Sequence, residues 1–254
     1  MNTARALLLI SDLHLSPSIP NTVDAFERFI ERTASDAGAV YILGDLFEYW
    51  IGDDMLATPF AQQVARTLRS LSERGIALYL MQGNRDFLLG KRFADAAAGT
   101  LLPDPYVIEA FGRRIVLAHG DALCTADVGY QRFRRVSHSA AGRCFFLSWP
   151  LRWRLALAER MRHKSQTTWT AERMAVADVT QEAVTRLFRA SGAGTLIHGH
   201  THLPATHRQV IDAHDTERWV IPDWELDHGT PRGGYLKIDA HGVSAHPLDT
   251  VPRG

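Results

Sequence analysis

Apolar residues in the first half of the chain gather into four short runs, at 6–11, 39–43, 76–81 and 114–118, each closed by turn residues. Runs of this length, rich in Leu, Ile, Val and Tyr, predict buried β-strands. Between them the spacing turns helical. Val23, Phe26 and Ile30 share one face of 22–34, and Phe60, Val64, Leu68 and Leu71 share one face of 59–74. Asn21 or Thr22 is placed to cap the first helix, and Gly75 to end the second. Later strands are predicted at 194–198, 205–211, 217–222, 234–239 and 242–246. The pattern predicts an α/β fold, a layered β-sandwich core flanked by helices. The interval 126–190 breaks the alternation: it has no strand pattern and reads as three or four helices, one of them starting at Pro150.

Composition narrows the class. At 254 residues and 46% hydrophobic content the chain forms one ordinary domain with room for an insertion. Lys+Arg and Asp+Glu both number 28, which argues against a general nucleic-acid binder. Cys124 and Cys144 make no disulfide framework, so a reducing compartment is expected. The apolar run in MNTARALLLISD is too short for a signal core or a membrane span, and the expected location is the cytoplasm.

Seven metal-capable side chains sit just after the apolar runs. Asp12 and His14 close ALLLISDLH, Asp45 closes VYILGD, Asn84 closes ALYLMQGN, His119 closes RRIVLAHGD, and His200 and His202 close TLIHGHTH. In open α/β sheets that edge is where ligands bind. Carboxylate and amide oxygens mixed with imidazoles suit Mn²⁺, Fe²⁺ or Zn²⁺. Any one Asp or Asn after a strand reads as a cap or turn former. Five such motifs in order point instead to a metal site. His198, His207, His214, His241 and His246 read as surface or hydrogen-bonded histidines.

Asp12-Leu13-His14, Gly44-Asp45, Gly83-Asn84-Arg85-Asp86, His119-Gly120-Asp121 and Gly199-His200-Thr201-His202 together resemble the calcineurin-like metallophosphoesterase family in full motif order. The resemblance implies that family's β-sandwich core and a two-metal site, with Mn²⁺ the expected ion. Asp12, His14, Asp45 and His202 would surround one ion. Asp45, Asn84, His119 and His200 would surround the other, with Asp45 bridging. Two ions about 3.5–4 Å apart acidify bound water and clamp phosphoryl oxygens during in-line displacement. Asn84 is a neutral ligand, so it keeps the site positive and favours an anionic substrate. Within the family the nearest resemblance is to the branch that acts on UDP-2,3-diacylglucosamine in lipid A biosynthesis. It implies cleavage to 2,3-diacylglucosamine 1-phosphate and UMP, with Asp45, Arg85 and His200 catalytic. It also implies work at an anionic membrane surface, peripheral on the cytoplasmic face of the inner membrane, with no nucleic-acid partner. A soluble nucleotide or a phosphomonoester is the alternative substrate.

The interval between the His119 and His200 motifs must leave and return to the same sheet edge, so a cap over the site is expected at 126–190, with the core at 1–125 and 191–250. From 128 to 164 it carries nine cationic residues, Arg132, Arg134, Arg135, Arg143, Arg152, Arg154, Arg160, Arg162 and Lys164, opposed only by Glu159. Tyr130, Phe133, Phe145, Phe146, Trp149 and Trp153 are interleaved with them. Three readings stand: amphipathic helices with a core-facing aromatic stripe, an acyl-chain pocket with an Arg face toward anionic lipid, and a nucleic-acid surface. The apolar bulk of RCFFLSWPLRW favours lipid.

Many members of the family have a histidine, thought to protonate an alkoxide, where this chain has Arg85. Arginine is a poor proton donor, but its fork suits phosphate oxygens, which points to phosphoanhydride cleavage. The competing reading is a structural pair with a carboxylate such as Asp86. The resemblance further implies that Asp127, Tyr130 and Ser165 join Asn84, Arg85 and His200 in binding substrate. Trp169 and Glu172 stand where relatives have small polar and lysine residues, and Glu172 reverses that charge. In Pro222-Asp223-Trp224-Glu225, Asp223 and Trp224 are placed either to shape the far wall of the site or to form a strand-end turn, and the segment reads as scaffold.

Overall fold

The structure is a computed structural model that describes residues 5–167 and 178–249. Its strands are β1 Leu7–Ile10, β2 Ala39–Leu43, β3 Ala77–Met81, β4 Thr100–Leu102, β5 Tyr106–Ala110, β6 Arg113–Ala118, β7 Thr195–His198, β8 Thr206–Ile211, β9 His214–Val220, β10 Gly234–Asp239 and β11 Gly242–Pro247. They form a six-stranded sheet, β11-β10-β1-β2-β3-β4, and a five-stranded sheet, β5-β6-β7-β9-β8. The helices are α1 Pro20–Arg28, α2 Pro59–Glu73, α3 Lys91–Ala96, α4 Val128–Ser137, α5 Ala140–Leu147, α6 Leu151–Thr167 and α7 Gln181–Ser191.

Both faces of the central strands are covered, which is why they read as unbroken apolar runs rather than as alternation. Leu9, Tyr41, Leu43 and Met81 meet Ile115, Leu117 and Ile197 between the two sheets. Their neighbours Leu8, Ile10, Val40 and Ile42 point the other way, under Phe26 of α1, Val64 and Leu68 of α2 and Phe93 of α3. Val116, Ala118 and Leu196 lie under Ala183, Val184 and Phe188 of α7. Strands β1, β2 and β3 are mutually parallel, as are β6, β7 and β9, so two sets of strand C-termini gather at one edge of the sandwich.

Several local features differ from the sequence expectation. β4 and β5 were not foreseen, because β4 has three residues and Pro103 and Pro105 divide it from β5, whose side chains are only partly buried. β9 begins at His214 rather than 217. Neither Asn21 nor Thr22 caps α1; their backbone N–H groups instead donate to the two carboxylate oxygens of the distant Asp227, each at 2.9 Å. Of the expected 126–190 insertion, α7 packs on the second sheet, whereas α4, α5 and α6 extend along the strand edge.

Candidate metal centre

The loops after β1, β2, β3, β6 and β7 converge at that edge and bring all seven metal-capable side chains together. Their backbones are held in an uncommon conformation. Asp12, His14, Asp45, His200 and His202 all have φ between 50° and 68°. A non-glycine residue in that left-handed region costs about 1–3 kcal/mol, and such residues persist where the surroundings over-determine them, notably at functional sites. Here the surroundings are interlocked turns. Asp12 N–H donates to Gly44 O at 3.2 Å, and Leu13 and His14 N–H both donate to Asp45 O at 3.0 Å. The His200 N–H donates to the Asp12 carboxylate at 2.8 Å, and Gly199 N–H to His119 O at 2.8 Å. Buried Asp86 accepts from the N–H groups of Gly83 (2.7 Å), Leu46 (2.8 Å) and Asp45 (3.3 Å), tying the third loop to the second.

Glycines permit this convergence. A Cβ on Gly199 would overlap the side chains of Ser11 and Asp12, and one on Gly83 would overlap Asp45. Gly199→Ala is therefore expected to destabilise the fold by about 1–3 kcal/mol, the usual cost of overpacking. Denaturant unfolding of the variant checks this, and an unchanged midpoint would mean that the loops have slack.

Two groups of potential ligand atoms result, Asp12 with His14 and His202, and Asp12 with Asp45 and His119; within each the atoms lie within 4.8 Å of one another. His202 Nε2 is 3.4 Å from both Asp12 Oδ1 and His14 Nε2. Asp12 is common to both groups, and Asp45 reaches a histidine of each: Oδ2 is 3.9 Å from His14 Nδ1, and Oδ1 is 3.8 Å from His119 Nε2. His119 Nε2 is 2.9 Å from Asn84 Oδ1, and its ring lies 5.1 Å from that of His200. The residues fit divalent cations. Among the described residues, buried Asp12 Oδ1 and His14 Nδ1 have no hydrogen-bond partner, and both belong to this oxygen–imidazole set.

The electrostatics fit the same conclusion. Burial, with Asp86 and Asp12 nearby, pushes the Asp45 carboxyl up to about 7 against the pull of His119. Burial also opposes charge on Asp12, but His202, His119 and His14 hold it well below the ordinary carboxylate range. On His119 burial is outweighed by Asp45, Asp12 and Asp121, which raise it to about 9, whereas burial and His119 lower His200 to about 4. A cation resolves this crowding of carboxylates and imidazoles by favouring charged carboxylates and neutral imidazoles.

Around the seven residues the structure adds Glu48, which the sequence reading did not single out, and gives other residues partners that the sequence did not show. Arg85 pairs with Glu48, Nη1 to Oε1 at 2.8 Å, while Asp86 is occupied by backbone N–H groups; the expected alternative of an Arg85–Asp86 pair is therefore corrected. The Tyr130 hydroxyl donates to Asp121, and its ring stacks near His200 at 6.3 Å. Arg134 Nε also donates to Asp121, at 2.8 Å. Asp127 caps α4 by accepting from Tyr130 N–H at 2.8 Å. Asp223, read as scaffold, is buried 3.4 Å from His202 Nδ1. The Ser165 side chain and residues Trp169 and Glu172 lie outside the described residues.

A cavity of about 450 Å³ opens from this edge. Asn84, Arg85, Glu48 and Tyr130 line it together with Phe87, Phe133, Val136, Phe145, Phe146 and Leu157. The basic face of the cap is smaller than the sequence suggested. Arg154 is only 4% exposed and bonds Asp54 and the Ile51 carbonyl, so it fastens α6 to the core. Trp153 is 58% exposed and is not among the cavity-lining residues.

Residues 6–204 match the family model for calcineurin-like phosphoesterase. A UDP-2,3-diacylglucosamine hydrolase from Ralstonia nicotianae is 49% identical over 251 residues, covering 95% of this chain and 92% of that protein. Proteins of the same name from Pseudomonas putida (44% identical; 96% and 99% covered) and Bordetella pertussis (42%; 95% and 95%) are also similar. Among solved structures, vacuolar protein sorting 29 from Cryptosporidium parvum shares the fold, with a TM-score of 0.51 at 12% identity over 99% of this chain and 95% of that one. The family match and these relatives show that the chain belongs to the calcineurin-like phosphoesterase family.

Proposed function

We propose that the protein hydrolyses the pyrophosphate bond of UDP-2,3-diacylglucosamine, releasing 2,3-diacylglucosamine 1-phosphate and UMP in lipid A biosynthesis. Asp12, His14, Asp45 and His202 would hold one divalent ion, and Asp45, Asn84, His119 and His200 the other, with Mn²⁺ the ion proposed. When bound, such ions acidify water and neutralise charge on the phosphoryl oxygens. The chain's own residues do the rest. Arg85 presents its fork to the pyrophosphate, giving up part of its pairing with Glu48 as it does so. Tyr130, fixed by Asp121, and the cap residues Asp127 and Ser165 take the sugar, and His200 faces the phosphate.

One observation carries the choice of substrate: the cavity is lined both by Asn84 and Arg85 of the site and by aromatics of α4 and α5. That lining suits a molecule with an anionic head and acyl chains. Arg132, Arg135, Arg152 and Arg160 are exposed on the cap beside exposed Val128, Leu147 and Trp153, a surface suited to anionic lipid on the cytoplasmic face of the inner membrane. Among the described residues no helix is long and apolar enough to cross a membrane.

The direct test supplies the purified protein with Mn²⁺ and UDP-2,3-diacylglucosamine in mixed micelles and follows UMP. Release of UMP at a kcat/KM well above that for UDP-glucosamine, a dinucleotide or an aryl phosphate is expected. Preference for any of the soluble compounds would overturn the reading.

Arg85→Ala is expected to lower kcat more than it raises KM, losing roughly 2–4 kcal/mol of transition-state stabilisation. Arg85→His should not restore anhydride cleavage, because a point donor does not replace the fork. If Arg85→Ala cleaves the anhydride normally, the arginine serves only its pair with Glu48.

A further inference from the structure

We infer that Asp223, anchored by Arg232, positions the His202 imidazole, fixing the proton on Nδ1 and turning Nε2 toward the metal centre; this rests on the two-metal reading above.

The local fold brings these groups together across sequence. After β9 the chain is pinned beside the β1 turn, with Trp224 N–H donating to Asp12 O at 3.1 Å and the Trp224 indole N–H to Gly234 O at 2.9 Å. It then folds back on itself: Glu225 N–H donates to Arg232 O at 2.9 Å, and Arg232 N–H to Glu225 O at 2.8 Å. That return places the Arg232 guanidinium on Asp223, with Nη2 2.7 Å and Nε 3.0 Å from Oδ2 and Nε 3.2 Å from Oδ1. The Asp223 carboxylate is buried, and the same Oδ2 lies 3.4 Å from His202 Nδ1. On the far side of the ring, Nε2 is 3.4 Å from Asp12 Oδ1 and from His14 Nε2.

With a cation at Nε2, the imidazole must carry its proton on Nδ1, 3.4 Å from the Asp223 carboxylate. Nδ1–H then faces Asp223, and the Nε2 lone pair is left for the cation. Arg232 matches the charge of Asp223, so the pair orients the ring without adding net charge to the centre.

The test titrates metal-free, full-length protein with Mn²⁺ by calorimetry and reads the His202 ring nitrogens by ¹⁵N NMR with Zn²⁺ bound. Wild type should bind two ions and show a protonated Nδ1. Asp223→Ala should weaken one of the two sites by about 10–100-fold, leave the other unchanged, and shift the Nδ1 signal. Asp223→Asn should be intermediate, because its amide oxygen still accepts from Nδ1–H. Unchanged affinities with wild-type nitrogen shifts in Asp223→Ala would overturn the inference. Equal weakening of both sites with a lower melting temperature would do the same, since it marks a purely structural role. If wild type itself fails to bind two ions, it is the two-metal reading that falls, and this inference with it.

Discussion

Asp45→Ala is expected to lower turnover by about a thousandfold or more while the fold survives, since losing a metal function forfeits several kcal/mol of charge stabilisation, at about 1.4 kcal/mol for each factor of ten. The two Asp45 oxygens face different histidines, His14 and His119, which suits it to hold two ions at once. Calorimetric titration of the variant should find at most one Mn²⁺ bound tightly. The metal-free protein provides a further check with a definite sign. Because the fold raises the Asp45 carboxyl from 3.8 to about 7, its stabilising contribution is complete below pH 4 and is lost as pH rises toward 7. Metal-free wild type should therefore lose stability over that window relative to Asp45→Ala. Near-normal turnover in a folded variant would sink the two-metal reading.

How much of this was legible in the sequence depended on where each residue's partner lay. Strands β1, β2, β3, β6 and β7 announced themselves because both faces are buried, and their ends carried the seven polar residues into one place. The β4–β5 corner was silent because prolines and half-buried side chains erase the apolar run. Asp223 looked like a turn former, since its work depends on His202 and on Arg232 returning across a loop. Asp86 and Glu48 were obscured for the same reason: Asp86 serves the backbone of the β2 turn, and Glu48 meets Arg85 across 37 residues. Arg154 failed in the opposite direction. Its neighbours suggested a solvated basic stripe, but Asp54 and the Ile51 carbonyl draw it inside. No local pattern distinguishes a buried paired arginine from an exposed one. The seven site residues themselves contained one hidden feature: five have positive φ, which sequence periodicity does not encode.

Polar substitution of the cap aromatics is expected to raise KM for the diacylated substrate and to leave the acyl-free UDP-glucosamine almost unaffected. Phe145 is the cleanest position, because it lines the cavity yet is 66% exposed, so the fold depends little on it. Phe146 also lines the cavity but packs partly against the core, so its variant needs a melting curve beside the kinetics. Burying a large apolar side chain against a partner stabilises by about 1.5–3 kcal/mol, which predicts a KM increase of roughly ten- to a hundredfold for Phe145→Ser if an acyl chain occupies the cavity. Shortening the acyl chains of the substrate should raise KM at about 0.8 kcal/mol per methylene in the wild type, and by less in the variant. Trp153 separates the pocket from the membrane. It is exposed and outside the cavity lining, so Trp153→Ser should weaken adsorption to anionic vesicles without changing KM in detergent micelles. Arg152→Glu and Arg160→Glu should act as Trp153→Ser does, whereas Arg154→Glu should unfasten α6 by facing Asp54 with a like charge. Equal losses on the diacylated and acyl-free substrates in Phe145→Ser would identify the cap aromatics as ordinary packing, and the acyl cavity would have to be abandoned.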